Sequence, residues 1–349
     1  MTRKLSILGA GESGIGAALL GKAHGYDVFV SDYGAIAPAF KKELEDEGIL
    51  FEEGAHSEQL ILQSDLVVKS PGIPETAAII KKLRGNGNLI ISEIEFAGKY
   101  TTAKLIGITG TNGKTTTTML TYHILKGAGY KVGMAGNIGK SFARQVLEET
   151  HDWYVLELSS FQLDDTYELK LETAVVLNIT PDHLDRYEYD IAKYAASKFR
   201  IIQNAKEGQH FIYCLDDELT KSFMPANIGA EQHPFSLDRE VEHGAYVKDQ
   251  EIILNNNQEQ QFNMNVQQLG LSGLHNTYNS MAAAIMGNVL NIKNDIIRDS
   301  LMSFQNIEHR LEYTATVGGV KYINDSKATN VNSAWYALES ADEPVIWIA

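Results

Sequence analysis

The segment Gly110–Thr116, GTNGKTT, combines a glycine-rich turn with a lysine and several hydroxyl groups. At a helix start, such a turn directs free backbone N–H groups to one point, where the helix dipole adds about half a positive charge. A polyphosphate fits this point, with Lys114 neutralising the terminal phosphates and the Thr115 hydroxyl binding Mg²⁺. The general P-loop pattern would need a glycine where the chain has Ile108. A tight structural connection is the alternative, but the GKT ending favours phosphate binding.

Polar groups also follow two later apolar strands. The strand predicted over 153–156 ends at Glu157, and the strand over 173–179 leads into a polar run, 180–186. An open parallel sheet binds ligands at the carboxyl ends of its strands, and a carboxylate there holds magnesium in NTPases. On its own, Glu157 fits a helix-start or edge carboxylate equally well.

Lys198 falls on the apolar face of a helix predicted over 190–205. That face carries Ile191, Tyr194, Ala195, Lys198, Ile201 and Ile202. One interpretation is a long side chain that reaches back to water. The other is a buried amine, whose pKa falls because burial disfavours the charged form. A neutral amine can be carbamylated and then binds metals as an anion.

The N-terminal segment contains a second glycine loop, 9–14, GAGESG, between a predicted strand, 5–8, and a predicted helix, 15–23. The next predicted strand, 27–31, ends at Asp32, where a dinucleotide-binding fold places the carboxylate for a ribose. NAD binding is therefore one interpretation. The unit is complete by about residue 95, however, so it corresponds to half of such a fold, with room for one nucleotide half and its pyrophosphate.

The remainder of the chain predicts secondary-structure elements that support the fold. Residues 214–268 predict short strands of a small covering sheet, and the polar start of a helix over 274–290 is consistent with simple capping. A hairpin over 313–322, a helix over 333–338 and a buried strand over 344–349 follow. A free carboxylate at the end of a buried strand would be costly. We therefore expect a fragment that lacks most of a third domain.

Composition restricts the class of protein. A net charge of −15 argues against non-specific binding to nucleic acid or to an anionic membrane. The single cysteine, Cys214, excludes an internal disulfide, suits a reducing cytoplasm and is expected in the core. Glu12 and several glycines interrupt the first apolar run, which excludes a signal peptide. No stretch reaches the ~18 to 20 apolar residues of a membrane span. We expect a cytoplasmic protein.

Eight short motifs together resemble the Mur ligases of bacterial cell-wall synthesis, in the order that this family carries them. They are SPGI at 70–73, GTNGKTT at 110–116, GNIG at 136–139, ELSSFQL at 157–163, DHLDRY at 182–187, HN at 275–276, HR at 309–310 and NDSKATN at 324–330. ELSSFQL is most similar to the members that add D-glutamate. The resemblance implies an α/β fold of three domains. These are a Rossmann-like domain for the UDP-substrate over 1–95, a central P-loop ATPase-like parallel-sheet domain over 96–306, and a Rossmann-like amino-acid-binding domain over 307–349, only partly present.

The resemblance implies an ATP-dependent amide ligase of peptidoglycan synthesis, the pathway that supports cell shape and division. ATP would phosphorylate the carboxylate of UDP-N-acetylmuramoyl-L-alanine, and the amine of D-glutamate would attack the acyl phosphate. Phosphoryl transfer between anions needs magnesium and lysine to screen charge. We expect a monomer with ATP, two Mg²⁺ sites and these two substrates.

The same resemblance assigns roles to individual residues. The catalytic residues would be Lys114, Glu157, His183 and Lys198. The metal ligands would be Thr115, Glu157, His183 and carbamylated Lys198. ATP would contact Gly110, Thr111, Asn112, Gly113, Lys114, Thr115, Thr116, Asn276, Arg310, Asp325 and Lys327. The UDP end would contact Gly11, Ser13, Gly14, Asp32, Ser70, Pro71 and Gly72. The muramoyl-alanine part would contact Asn137, Ser159, Gln162 and His183, and the incoming glutamate Thr329. Tyr33 departs from the small hydroxylic residue that the family often has after Asp32, and the family's glutamate-binding lysine and serine would lie beyond residue 349.

Two other functions compete with this interpretation. A folylpolyglutamate synthetase shares the GTNGKTT segment but would lack the N-terminal unit with SPGI. A non-catalytic sensor would bind NAD at the first glycine loop and use the P-loop as a switch. Such a sensor has no need for the two-metal set formed by Lys114, Glu157, His183 and Lys198.

Overall fold

A computed structural model describes residues 2–255, 262–305, 312–326, 328, 331, 334–335, 338 and 344–348. Within these ranges, the strands form a five-stranded sheet, a nine-stranded sheet and a two-stranded hairpin. No helix in the described part of the chain is both long and apolar enough to cross a membrane.

The first sheet is parallel throughout, in the order β3-β2-β1-β4-β5. Its strands are β1 Lys4–Leu8, β2 Asp27–Asp32, β3 Leu50–Glu53, β4 Leu66–Lys69 and β5 Ile90–Ile91. The helices that connect and follow them are α1 Glu12–Ala23, α2 Pro38–Asp46, α3 Glu58–Leu62, α4 Ala78–Asn86 and α5 Glu93–Gly98. Successive residues Val67 and Val68 belong to different apolar clusters, as expected for a parallel sheet covered on both faces.

The second sheet has the order β14-β13-β12-β11-β10-β9-β6-β8-β7. Its strands are β6 Lys104–Thr109, β7 Val132–Gly136, β8 Trp153–Glu157, β9 Thr173–Val176, β10 His210–Cys214, β11 Glu231–Ser236, β12 Gly244–Lys248, β13 Glu251–Asn255 and β14 Phe262–Asn265. Only the pairings of β13 are antiparallel. The P-loop strand β6 lies between β9 and β8, so the polar residues that follow these three strands meet at one edge.

The helices of this part are α6 Lys114–Gly127, α7 Phe142–Glu148, α8 Ser160–Asp164, α9 Ile191–Phe199, α10 Glu218–Phe223, α11 Leu274–Val289 and α12 Asn294–Ser303. Short 3₁₀ turns cover Leu184–Tyr187, Arg200–Ile202 and Val266–Gln268, and the hairpin strands are β15 Glu312–Val317 and β16 Val320–Asn324. The helix predicted over 190–205 therefore ends at Phe199 and continues as a 3₁₀ turn. Cys214 is buried as predicted, and burial raises the pKa of its thiol to about 12, which disfavours the thiolate.

Two expectations about support structure are wrong. Strands β12, β13 and β14 do not form a separate covering sheet. They extend the main sheet, because β12 pairs in parallel with β11 through Phe235 and Ala245. Residues 344–348 are not a buried strand: they have no regular secondary structure, and Ile346 and Ile348 are 85% and 86% exposed. An apolar run becomes a buried strand only where a neighbouring strand pairs with it, and none does in the described part of the chain.

Ion pairs join the two sheet units. Asp165, after α8, contacts the amine of Lys69 at 2.8 Å and the guanidinium of Arg84, both from the first unit. On another side, Arg144 of α7 binds the carboxylate of Glu43 through both terminal nitrogens, at 2.6 and 3.0 Å. These contacts place the first glycine loop beside the central unit.

Candidate functional site

The P-loop is held by side chains that follow strand β9. Asn178 accepts a hydrogen bond from the backbone N–H of Asn112 at 2.9 Å and donates one to its carbonyl oxygen at 3.1 Å. The hydroxyl of Thr111 donates to the carbonyl oxygen of Thr180 at 3.0 Å. Gly113 has φ of 83°, and a Cβ there would overlap the side-chain oxygen of Asn279. These contacts define the shape of the turn, and helix α6 starts at its end.

The two predicted lysines converge on this turn. The amine of Lys114 donates to the carbonyl oxygens of Gly110 and Thr111, at 2.9 and 2.8 Å. The amine of Lys198, on α9, donates to the same oxygen of Gly110 at 2.8 Å. Its nitrogen also lies 4.4 Å from the centre of the Tyr194 ring.

Lys198 does not reach water, because it is only 1% exposed. Burial first, and the neighbouring charge of Lys114 second, hold its pKa well below the usual value. The carboxylates of Asp182 and Asp164 offset part of this lowering of the pKa. The interpretation of Lys198 as a side chain that returns to solvent is wrong, and the amine has the environment that favours its neutral form.

Glu157 lies at the end of β8, directly beside the P-loop strand, where it pairs in register with Ile108. It is 1% exposed, which rules out the edge carboxylate. One carboxylate oxygen accepts from the Asn137 amide at 2.9 Å, and the other is buried with no hydrogen-bond partner among the described residues. A buried carboxylate oxygen is costly without a partner. Hard oxygen ligands suit Mg²⁺, so the residues present fit a magnesium ion here.

His183 stands at the start of the 3₁₀ turn 184–187, with φ of 51° and a side chain that is 56% exposed. Its ring packs edge-on against Phe161, with 5.4 Å between the ring centroids. Asp182 lies 3.7 Å from its Nε2 and also acts on the charge of Lys198. The structure thus brings the DHLDRY segment to the same edge, and an accessible imidazole remains there.

The first glycine loop contacts the SPGI loop. A Cβ on Gly9, which has φ of 93°, would lie 2.7 Å from the Cβ of Ser70. Asp32 accepts from the N–H groups of Ala10 and Gly34, each at 2.7 Å, so it braces the loop and the turn that follows β2. Tyr33 is 75% exposed. The predicted residues Gly11, Ser13, Gly14, Ser70, Pro71 and Gly72 lie on or beside these loops.

Arg186 is a residue whose role sequence reasoning missed. Its guanidinium donates to the carbonyl oxygens of Pro71, Gly72 and Ile73, at 3.2 to 3.4 Å, and lies 4.3 Å from the centre of the Phe161 ring. It therefore ties the SPGI loop to the central unit. The DHLDRY motif contains this arginine, but its partners become visible only when the two units are seen in contact.

Three predicted substrate residues have internal partners. Ser159 and Gln162 form a capping box at the start of α8, and Gln162 is buried. Asn137 bonds to Glu157 through both its side chain and its backbone N–H. Their contacts with a substrate stay a prediction.

Helix α11 connects the HN motif to the P-loop helix. Asn276 is buried, and its amide donates to the carbonyl oxygen of Ser272 at 2.8 Å. Asn279, which sequence reasoning also missed, donates to Asn276 and accepts from the Thr117 hydroxyl of α6 at 3.2 Å. Among the described residues, no side chain forms a cap hydrogen bond at the start of α11, so the capping interpretation is wrong.

The remaining predictions concern the C-terminal segment. Asp325 follows the hairpin β15–β16. Arg310, Lys327 and Thr329, together with the HR motif that contains Arg310, lie outside the described residues. Their roles stay predictions.

A Rossmann-like parallel sheet joined to a P-loop parallel sheet, with lysines and a buried carboxylate at the P-loop, defines an α/β nucleotide-binding protein. Comparisons with known proteins identify the class more closely. The Mur ligase middle domain matches residues 108–287, and the MurD N-terminal domain matches residues 4–79. The chain belongs to the Mur ligase family.

Individual relatives support membership of this family. A UDP-N-acetylmuramoylalanine–D-glutamate ligase of Bacteroides fragilis is 53% identical over 99% of this chain and 78% of its own length. The protein of that name from Christiangramia forsetii is 48% identical over 100% and 78%. Two solved structures share the fold. One is a UDP-N-acetylmuramate:L-alanyl-gamma-D-glutamyl-meso-diaminopimelate ligase from Neisseria meningitides, with TM-score 0.61, 19% identity and coverage of 88% of this chain and 100% of that one. The other is a MurF ligase of Thermotoga maritima in complex with ADP, with TM-score 0.56, 16% identity and coverage of 89% and 71%.

Proposed function

We propose that this chain carries the UDP-substrate and ATP sites of an ATP-dependent ligase that joins D-glutamate to UDP-N-acetylmuramoyl-L-alanine in peptidoglycan synthesis. Relatives about 50% identical over nearly the whole chain bear that activity in their names. The structural observation that carries the proposal is the buried, unpartnered oxygen of Glu157 beside a P-loop to which two lysine amines converge.

The residues at the P-loop have complementary tasks. The backbone N–H groups at the start of α6 would bind phosphate oxygens, and Lys114 would exchange its carbonyl partners for the terminal phosphates. Glu157 and the Thr115 hydroxyl would hold one Mg²⁺, and His183 with carbamylated Lys198 would hold a second. When bound, the metal ions neutralise charge on the phosphates and on the acceptor carboxylate. Asn178 and Thr180 keep the turn in its binding shape.

Lys198 is suited to carbamylation because its amine is buried and its neutral form is favoured. A neutral amine adds CO₂ and loses one proton, which turns it into an oxygen-donor anion. The carbamate would also place a negative charge beside Lys114. Asn276 supports the nucleotide from the side of α11.

The substrate residues lie on both sides of the contact between the two units. The glycine loop 9–14 and the SPGI loop would hold the UDP end, while Asn137, Ser159, Gln162 and His183 would contact the muramoyl-alanine part. Arg186 keeps the SPGI loop against the central unit. The domain limits at residues 95 and 306, a monomeric state, a cytoplasmic location and the role of Thr329 towards glutamate belong to this proposal.

A calorimetric titration of this chain with UDP-N-acetylmuramoyl-L-alanine, with NADH as comparator, tests the proposal. Binding of the muramoyl nucleotide and not of NADH is the expected result. Binding of NADH alone would make the first glycine loop a dinucleotide site and would overturn the ligase assignment in favour of a sensor.

A further inference from the structure

Three residues with metal-binding side chains lie together at the start of strands β10 and β11. In the parallel register, His210 pairs with Glu231, and His233 follows Glu231 by two residues. Residues two apart on one strand, and residues paired across strands, point to the same face of a sheet. All three side chains are therefore on the face that carries Ile212, whose apolar cluster includes residues of α11.

The separations suit a small metal ion. Nδ1 of His210 lies 3.0 Å from Nε2 of His233 and 3.6 Å from a carboxylate oxygen of Glu231. The three ligand atoms all lie within 4.8 Å of one another. A tetrahedral Zn²⁺ with bonds of about 2.0 to 2.2 Å places its ligand atoms about 3.3 to 3.6 Å apart. Two of the three separations between ligand atoms are thus close to this spacing.

The surroundings leave room for a fourth ligand. The cluster lines a cavity of about 720 Å³, which is also lined by His243 and by the end of α11 at Asn288 and Val289. This site is at the start of its strands, whereas the P-loop follows the end of β6. It is therefore separate from the nucleotide site.

We propose that His210, Glu231 and His233 form a binding site for a first-row transition metal ion of the Zn²⁺ class, with a fourth position open to the cavity. Two imidazoles and one carboxylate favour such an ion over Mg²⁺, which prefers oxygen ligands only. The ion would join the two neighbouring strands at the edge of the sheet opposite to the P-loop. Without an ion, the two imidazoles would share one proton in an ordinary hydrogen bond, and this is the competing account.

The test is a calorimetric titration with Zn²⁺ in excess Mg²⁺, repeated with Co²⁺ and followed by its visible absorption. The intact chain should bind one equivalent and develop the absorption of a four-coordinate Co²⁺ site. His210→Gln and His233→Gln should each weaken Zn²⁺ binding more than about tenfold. His123→Gln, which alters a histidine outside the cluster that bonds to Ser303, should not change it.

Two further variants locate the site. Glu231→Gln changes a largely exposed side chain, so it should preserve the fold, as checked by circular dichroism, while it weakens Zn²⁺ binding. Glu157→Gln should leave Zn²⁺ binding unchanged. The proposal is wrong if the histidine variants bind Zn²⁺ like the intact chain, or if Glu157→Gln removes the bound equivalent, since the ion would then occupy the P-loop site.

Discussion

The amines of Lys114 and Lys198 donate to one acceptor, the carbonyl oxygen of Gly110, at 2.9 and 2.8 Å. Two ammonium groups on one oxygen repel each other, and Lys198 is the buried partner. The charge of Lys114 therefore adds to burial in lowering the pKa of Lys198. The two lysines differ in environment for this reason: Lys114 is partly exposed, whereas Lys198 is buried and its pKa is lowered.

We predict a carbamate on Lys198. In ¹³C-labelled bicarbonate, the chain should show one carbamate carbonyl resonance by NMR, because only a neutral amine adds CO₂. The resonance should be absent from Lys198→Ala and present in Lys193→Ala, which removes an exposed lysine of the same helix that pairs with Glu188. A spectrum of Lys198→Ala that keeps the resonance would exclude this site of modification.

Lys114→Ala should weaken ADP binding by more than about tenfold, since it removes the cation that screens the terminal phosphates. The comparison is Lys126→Ala, which changes a lysine in the last turn of the same helix, near a Tyr122 ring. Titration calorimetry in Mg²⁺ measures both affinities. Equal losses in the two variants would mean that the effect comes from net charge and not from the P-loop.

Glu157→Gln should remove the dependence of ADP affinity on Mg²⁺ and leave the affinity without Mg²⁺ unchanged. The amide keeps an oxygen for Asn137 but lacks the charge that a metal needs. Thermal stability should be unchanged or higher, because the variant loses a buried charge with an unpartnered oxygen. Glu207→Gln, at an exposed position, provides the control for a change of one charge. A Mg²⁺ response equal to that of the intact chain would show that Glu157 is not a ligand.

Glu93 should make stability depend on pH in a defined direction. Burial is the largest cause that raises the pKa of this carboxyl to about 7, although Ser141 and the N–H of Ala143 donate to it. The folded protein therefore holds a proton that the unfolded chain releases above its ordinary pKa of 4.5. Folding stability contributed by this group falls as the pH rises from about 4.5 to 7, and it is fully present below that window.

Glu93→Gln keeps the acceptor oxygen and removes the titration. Urea unfolding at pH 5 and pH 8 measures the free energy of unfolding of both proteins. The value for the variant minus the value for the intact chain should be higher at pH 8 than at pH 5 by up to about 3 kcal/mol. Glu58→Gln, at a partly exposed position that pairs with Lys82, should show no such change. The raised pKa would be contradicted if the difference in unfolding free energy between Glu93→Gln and the intact chain were the same at both pH values.

Asp165→Ala should destabilise the contact between the two units. Among the described residues, the variant leaves the half-exposed Glu75 as the one acidic partner of the buried Lys69 amine and of the Arg84 guanidinium. Loss of one partner from a buried ion pair costs about 3 kcal/mol. Glu168→Ala removes an exposed acid three residues later and should cost less than about 1 kcal/mol. Urea unfolding measures both, and equal costs would show that the buried pairs do not stabilise the fold.

Local sequence patterns were sufficient to predict the groups at the P-loop and most of the strands. The turn 110–113, the strand before it and the helix after it depend on neighbouring residues, because glycine conformations and hydrophobic periodicity act over a few positions. Glu157 could be placed at a strand end for the same reason. The apolar runs over 244–254 were predicted as strands, but their sheet was not, because pairing depends on a partner strand elsewhere in the chain.

Other features depend on contacts between distant parts of the chain. Lys198 meets Gly110 across a separation of 88 residues, and Arg186 meets Pro71 across 115. Helical spacing placed Lys198 on an apolar face but left both of its interpretations open, since a long side chain can leave such a face. Neighbouring strands β10 and β11 unite His210, Glu231 and His233 in the same way. The order of residues thus specifies which groups and which local turns exist, and packing specifies which groups meet, because burial and strand order are properties of the whole chain.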